Sequence, residues 1–154
     1  MEIRVRKAGI EDLVHILHQR RAMFEEMGHR EGDVLDRMEV LSREYFSRAL
    51  RSGAYQAWLA EDEARQVLGG GGLVIADWPG YPGEHHAKRA WILNVYTEPR
   101  ARRCGVANTL METMIEWCRT ENFSTVSLHA SDAGRRVYEK LGFTPTNEMR
   151  LMVR

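Results

Sequence analysis

Ile3 and Val5 alternate with charged neighbours at the start of the chain, a period of two that predicts a half-buried strand. Glu11 and Asp12 follow where a first helical turn favours acids. Leu13, Ile16, Leu17, Phe24 and Met27 then recur at near-helical spacing, and Gly28 suits the helix C-cap. A second helical pattern runs from about Asp33 to Leu50, with Val34, Met38, Leu41, Tyr45 and Ala49 on one stripe and Gly53 closing it. After that the period changes. Tyr55 to Ala60 reads as a strand, Glu61 to Arg65 as a polar turn, and Val67 to Ala76 as the second strand of a hairpin. A Gly/Pro loop precedes a third apolar run, Ala90 to Tyr96. A long amphipathic helix is predicted from about Gly105 to Thr120, with Val106, Leu110, Met114, Trp117 and Cys118 facing inward. Val126 to Leu128 predicts a short strand, Ala133 to Leu141 a short helix, and Met149 to Val153 a last strand.

The order is therefore β-α-α-β-β-β-α-β-α-β, a mixed α/β domain. No repeat, low-complexity tract or linker interrupts the 154 residues, which predicts a single domain over 1–154. Apolar residues make up 44% and charged residues 29%, a globular balance. No apolar run approaches the roughly 20 residues of a membrane span, and the N-terminus lacks the apolar stretch of a signal peptide. Cys104 and Cys118 are too few for a disulfide framework, so a reducing, cytoplasmic setting is expected. Lys plus Arg and Asp plus Glu each total 22, a net charge of zero that argues against nucleic acid as a partner.

Chemistry concentrates where Arg100-Ala101-Arg102-Arg103-Cys104-Gly105-Val106-Ala107 leads into the long helix. The first N–H groups of a helix lack internal partners, and the helix dipole places positive charge there, so a tight small-residue turn at that point suits a phosphate. Gly105 permits close approach of backbone to ligand, Ala107 does not block it, and Arg102 and Arg103 add cationic contacts. Cys104 would contribute its backbone N–H, its thiol being incidental. Gly69 to Gly72 looks superficially like a second phosphate loop, but Leu73-Val74-Ile75 continues it as a strand. A bulge, twist or close backbone crossing is the expectation there.

The stretch from Ile92 to Ala107, with Arg102, Gly105 and Ala107 at the defined positions, resembles the strand and motif A of the GNAT superfamily of N-acetyltransferases. Ser131 to Phe143, a short helix ending in Tyr138-x-x-x-Gly142-Phe143, resembles that family's second signature at its usual separation. The resemblance implies a single-domain GNAT-like fold with a mixed, mostly antiparallel sheet flanked by helices. It implies acetyl-CoA as cosubstrate and an amine as acceptor, with many relatives being homodimers. The strand ending at Thr97 would splay from the one ending near His129. Pantetheine would lie in the gap, its amides pairing with main-chain groups of Val95, Tyr96 and Thr97. Pyrophosphate would sit on the backbone from Arg103 through Cys104, Gly105, Val106 and Ala107 to Asn108, and Ser131 and Gly134 would complete the cofactor contacts.

Tyr138 stands where the family places the general acid that protonates the leaving thiolate. Many members carry a Glu on the strand before the phosphate loop, whereas here Trp91-Ile92-Leu93-Asn94-Val95-Tyr96 has no carboxylate. His129 is the first candidate base, with Glu25, Glu26 or a relay of water as other routes for the amine proton. The Trp78 to His86 loop is positioned in sequence to cover the acceptor site. His85-His86 without Cys or carboxylate partners does not predict a metal. The competing reading, favoured by the missing carboxylate and opposed by Tyr138, is a non-catalytic acyl-CoA-binding or regulatory domain.

Overall fold

A computed structural model describes residues 1–154. The strands are β1 (Arg4–Ala8), β2 (Tyr55–Glu61), β3 (Val67–Asp77), β4 (Lys88–Thr97) and β5 (Val126–Leu128); the helices are α1 (Leu13–Glu26), α2 (Gly32–Ser52), α3 (Val106–Thr120) and α4 (Arg135–Lys140). They form one five-stranded sheet in the order β1-β2-β3-β4-β5. The first four strands pair antiparallel, and β5 joins β4 in parallel after the α3 crossover.

Side-chain alternation divides the core between the two faces of the sheet. Trp58 and Ala60 of β2 join Val106, Leu110, Met111, Met114 and Cys118 of α3. Ala57 and Leu59, one residue out of phase, join Ile16 and Leu17 of α1 and Phe46 and Ala49 of α2. Because β2 is covered on both sides, it reads as a nearly continuous apolar run.

The tetraglycine lies in β3 between these layers and is a close crossing, as expected. A Cβ on Gly69 would strike the Tyr96 carbonyl, one on Gly70 the Gln19 side chain, and one on Gly72 the Tyr55 ring. On Gly71 it would lie 3.0 Å from the Met114 methyl. Alternate glycines thus admit α3 on one face and α1 and Tyr55 on the other.

Two sequence expectations need correction. The buried stripe of α2 is Leu35, Ser42, Phe46 and Ala49, whereas Val34 and Leu41 are 49% and 59% exposed. Its one polar member hid it, since Ser42 faces inward to meet an arginine. The strand expected over Met149–Val153 does not form within the chain. Its residues have strand-like composition, but β5 offers an edge of only three residues, too short to template a ladder. No helix is long and apolar enough to cross a membrane.

Candidate functional site

The site is organised by an interruption in β4. Its pairing with β3 runs from Lys88 to Leu93, opposite Gly72, and resumes at Tyr96, opposite Gly70, so Asn94 and Val95 together oppose Gly71. This is a β-bulge, with Asn94 in the left-handed region at φ 59°. On the other edge, β5 pairs with β4 only through Ala90, Trp91 and Ile92. Beyond Ile92 that edge has no neighbouring strand. On this edge Leu93–Thr97, which includes Val95, Tyr96 and Thr97, has no strand partner, and only the Thr97 carbonyl meets a side chain, that of Arg102, so the edge suits a ligand able to pair as a strand does.

The chain next makes a 3-10 turn at Pro99–Ala101 and enters α3 through Arg103 at φ 60° and Gly105 at φ 86°. The backbone N–H groups of Arg103, Cys104, Gly105, Val106, Ala107 and Asn108 all lack a hydrogen-bond partner in the protein. The first N–H satisfied is that of Thr109, to the Gly105 carbonyl at 3.0 Å. Six consecutive free donors at the positive end of a 15-residue helix are an arrangement suited to holding an anion. A Cβ at Gly105 would touch nothing within 4 Å, so the left-handed turn there faces open space.

The two loop arginines behave differently. Arg103 is exposed and forms no ion pair. Arg102 folds inward: its Nε donates to the Thr97 carbonyl at 3.2 Å, its Nη2 to Glu26 Oε1, and its guanidinium lies 5.9 Å from the Tyr96 ring centroid. The Glu26 hydrogen bond pushes the Arg102 pKa up. Tyr96 also donates to Glu26, at 3.4 Å, and burial followed by that nearby charge raises its phenol above the ordinary range. Of the remaining loop residues, Cys104 is exposed, with Sγ 3.4 Å from the Arg102 carbonyl, and the Asn108 amide is turned to Glu112 at 2.8 Å.

Tyr138 and His129 stand on opposite faces of the sheet. Tyr138, like Val126, Leu128 and Val95, packs against the core cluster on the α3 face, and its ring is edge-on to Phe143. Its hydroxyl has no partner in the protein, and burial raises its pKa, so it remains a proton donor well above neutrality. Gly134 makes room for this ring, since a Cβ there would lie 2.7 Å from Tyr138 Cε2. Ser131 Oγ accepts the Gly134 N–H at 3.2 Å at the start of α4. His129 follows β5 with the opposite phase and meets the Trp91 ring at 4.8 Å. Its Nε2 is 2.8 Å from Glu148 Oε2, and Arg150 Nη2 reaches Glu148 Oε1 at 3.0 Å. The His129 hydrogen bond lowers the Glu148 pKa. Arg150 Nη2 also lies 3.3 Å from His129 Nε2, so Nε2 faces an acceptor and a donor together, while Nδ1 has no partner within the protein. Sequence reasoning missed Glu148, because only the returning tail brings it 19 positions back to His129.

The Trp78 to His86 loop does not cover this end. Glu84 accepts from the Ser124 N–H and Oγ, both at 2.8 Å, and His86 packs on Phe123 at 4.2 Å. Joining the end of β3 to the start of β4, it is held at the opposite end of β4 from Thr97.

The model of the Acetyltransferase (GNAT) family matches residues 16–143, a span that includes the bulge, the free donors and Tyr138. The chain belongs to this GNAT family. Its structure is similar to that of a GCN5-related N-acetyltransferase from Ralstonia eutropha JMP134, at 31% identity, 99% coverage of each chain and a TM-score of 0.90. It is similar to a predicted acetyltransferase from Clostridium acetobutylicum solved with acetyl-CoA, at 25% identity, coverage of 98% and 96%, and a TM-score of 0.86. Glucosamine-6-phosphate N-acetyltransferase from Arabidopsis thaliana shares the fold, at 18% identity, full coverage of both chains and a TM-score of 0.66. No curated protein matches the sequence. As a GNAT acetyltransferase, the protein takes acetyl-CoA as its acetyl donor. The free donors of residues 103–108 and the unpaired edge of β4 suit that donor's pyrophosphate and amide-bearing arm.

Proposed function

We propose that this GNAT protein transfers the acetyl group of acetyl-CoA to a primary amine of a small molecule or peptide, by direct attack of the amine on the thioester. The observation that carries this reading is the run of unpartnered N–H groups at residues 103–108, at the end of a strand whose edge is open from Leu93 to Thr97. Acetyl-CoA, when bound, supplies an activated acyl group and a thiolate leaving group. Main-chain groups of Val95, Tyr96 and Thr97 hold its pantetheine, and residues 103–108 hold its pyrophosphate. Tyr138, neutral and with its hydroxyl uncommitted, gives its proton to the departing sulfur. An alkylamine has a pKa near ~10.4 and must lose a proton before attacking. His129 Nδ1 takes that proton, directly or through water, while Glu148 stabilises the imidazolium. The unpaired thiols Cys104 and Cys118 suit a reducing compartment such as the cytoplasm.

The second reading, an acyl-CoA-binding domain without turnover, is favoured by neutral Asn94 at the bulge, where no carboxylate is present to act as base. Incubation with acetyl-CoA and a broad amine panel, with free thiol monitored for wild type and Tyr138→Phe, separates the two. Thiol release that depends on an amine and on Tyr138 is expected. Binding of acetyl-CoA without turnover on any amine would favour the second reading. Absence of binding, or binding untouched by Gly105→Glu, would sink both.

A further inference from the structure

Arg20 is a half-buried arginine without an acid partner. Its neighbour Arg21 collects Glu25, Asp36 and Glu39 at 3.0, 2.7 and 3.0 Å. Arg6 holds Asp12 and Glu61, and Arg102 holds Glu26. Arg20 instead runs into the space between α1, α2 and the bulge of β4. Its Nη1 donates to Asn94 Oδ1 at 2.7 Å and its Nε to Ser42 Oγ at 3.2 Å. Phe24 and Phe46 lie 5.0 and 5.8 Å from its guanidinium carbon. The other polar group of this cluster is Tyr55, whose hydroxyl accepts from Asn94 Nδ2 at 3.2 Å. Burial holds Tyr55 protonated, so it brings no negative charge.

Every group facing Arg20 from α1, α2, β2 and β4 is therefore neutral, and burial lowers the Arg20 pKa. Arg20 Nη2 has no partner within the protein, yet it is not sealed from solvent. A partly desolvated cation with unused donors is costly unless something supplies the charge. Glu25 of α1 and Asp36 and Glu39 of α2 are turned to Arg21 instead. The bonded partner, Asn94, is the bulge residue on the strand whose edge opens one residue earlier.

We propose that Arg20 is a specificity residue that binds an anionic oxygen group, carboxylate or phosphate, on the amine acceptor. The acceptor class is thus an amino acid, a peptide with a nearby carboxylate, or an amino-alkyl phosphate, rather than a polycationic or neutral amine. Guanidinium is suited to both anions because its planar N–H pairs match two oxygens at once. The acceptor's amine then lies on the α1–α2 face, the face on which His129 stands and opposite Tyr138. This assignment rests on the acetyltransferase reading above, but anion binding can be read without turnover.

The test uses the full chain saturated with acetyl-CoA or CoA and matched sets of ligands. Each set holds an amino acid, the corresponding amino-alkyl phosphate and the amine lacking the acid group. The expected kcat/KM ratio of the preferred anionic acceptor over its neutral partner is about 10- to 100-fold, the worth of a charge-assisted hydrogen bond. Preference within each set shows whether carboxylate or phosphate is the natural group. Arg20→Gln should collapse the ratio towards one, and Arg20→Lys should retain part of it. A wild type that prefers neutral amines, or an Arg20→Gln variant that lowers all acceptors alike, would overturn the assignment and leave a structural role. If no amine is acetylated, or if the variants do not fold, titration of wild type with desamino carboxylates and alkyl phosphates decides. Saturable binding that protects Arg20 from a guanidine-directed reagent supports the site even though transfer fails. No such binding overturns it.

Discussion

Gly105 and Tyr138 are single residues on which the two halves of the proposed chemistry rest, and they fail differently. At Gly105 the backbone has φ 86° and the missing Cβ faces open space. Gly105→Ala therefore costs stability through the left-handed conformation alone, about 1 kcal/mol. Gly105→Glu adds a negative charge beside six free N–H groups, and we expect acetyl-CoA affinity to fall at least about tenfold more than in Gly105→Ala. Calorimetric titration of both variants, alongside their melting temperatures, separates ligand repulsion from backbone strain. Tyr138→Phe should leave acetyl-CoA affinity within about twofold and lower kcat by about 100-fold, the lower end of general-acid effects. Because burial raises the Tyr138 pKa, the acid stays protonated as pH rises through 10, the ordinary tyrosine value. The wild-type pH profile should accordingly show no loss of kcat assignable to Tyr138 below about pH 10. A profile falling at pH 8–9 in wild type but flat in Tyr138→Phe would contradict it.

At the scale of elements, the contact between β3 and its neighbours depends on side chains that are not there. Gly72 lies against the Tyr55 ring and hydroxyl, and Tyr55 is 2% exposed. Neither the ring nor the strand backbone behind it has room to move, so Gly72→Ala should destabilise by about 2–3 kcal/mol or more. Gly71→Ala meets only the flexible end of Met114 at 3.0 Å and should cost about 1 kcal/mol or less. Urea unfolding of the two variants checks the ordering. The same elements show what was legible beforehand. The phosphate loop, α3 and the glycine crossing could be read because each is specified locally, by turn chemistry or a clean apolar stripe. The inner face of α2 could not, because Ser42 serves an arginine that lies 22 positions earlier. The Glu148–His129 pair and the Arg102–Glu26 pair were equally hidden, since each forms only after distant segments fold together. The Met149–Val153 segment misled for the converse reason: its local pattern is that of a strand, and a strand also needs an edge.

The whole molecule unfolds around one sheet shared by two apolar clusters. β2 contributes to both, with Trp58 and Ala60 facing one helix layer and Ala57 and Leu59 the other. Neither layer can leave without exposing the strand that supports the other, so a single cooperative transition is expected. One ionisable group ties the edge of this unit together. Asp12 is 5% exposed and accepts from Arg6 at 2.9 and 2.8 Å and from the Gly9 N–H at 3.0 Å. It thereby joins β1 to the turn that opens α1. Its hydrogen bonds from Arg6 lower its pKa in the folded state, whereas in the unfolded chain it titrates near ~3.9. The unfolded state therefore binds this proton more readily, and the stabilisation is fully present above the unfolded pKa and lost as pH falls through the folded one. Asp12→Asn should cost about 1–2 kcal/mol at pH 7, discounted because Arg6 remains 42% exposed. That gap should narrow as the wild type is acidified below about pH 4. Parallel urea titrations of both proteins from pH 7 to pH 3, followed by far-ultraviolet dichroism and tryptophan fluorescence, measure it. A gap that stays constant across that range would show that Asp12 acts through shape rather than charge, and transitions that differ between the two probes would show that the layers separate.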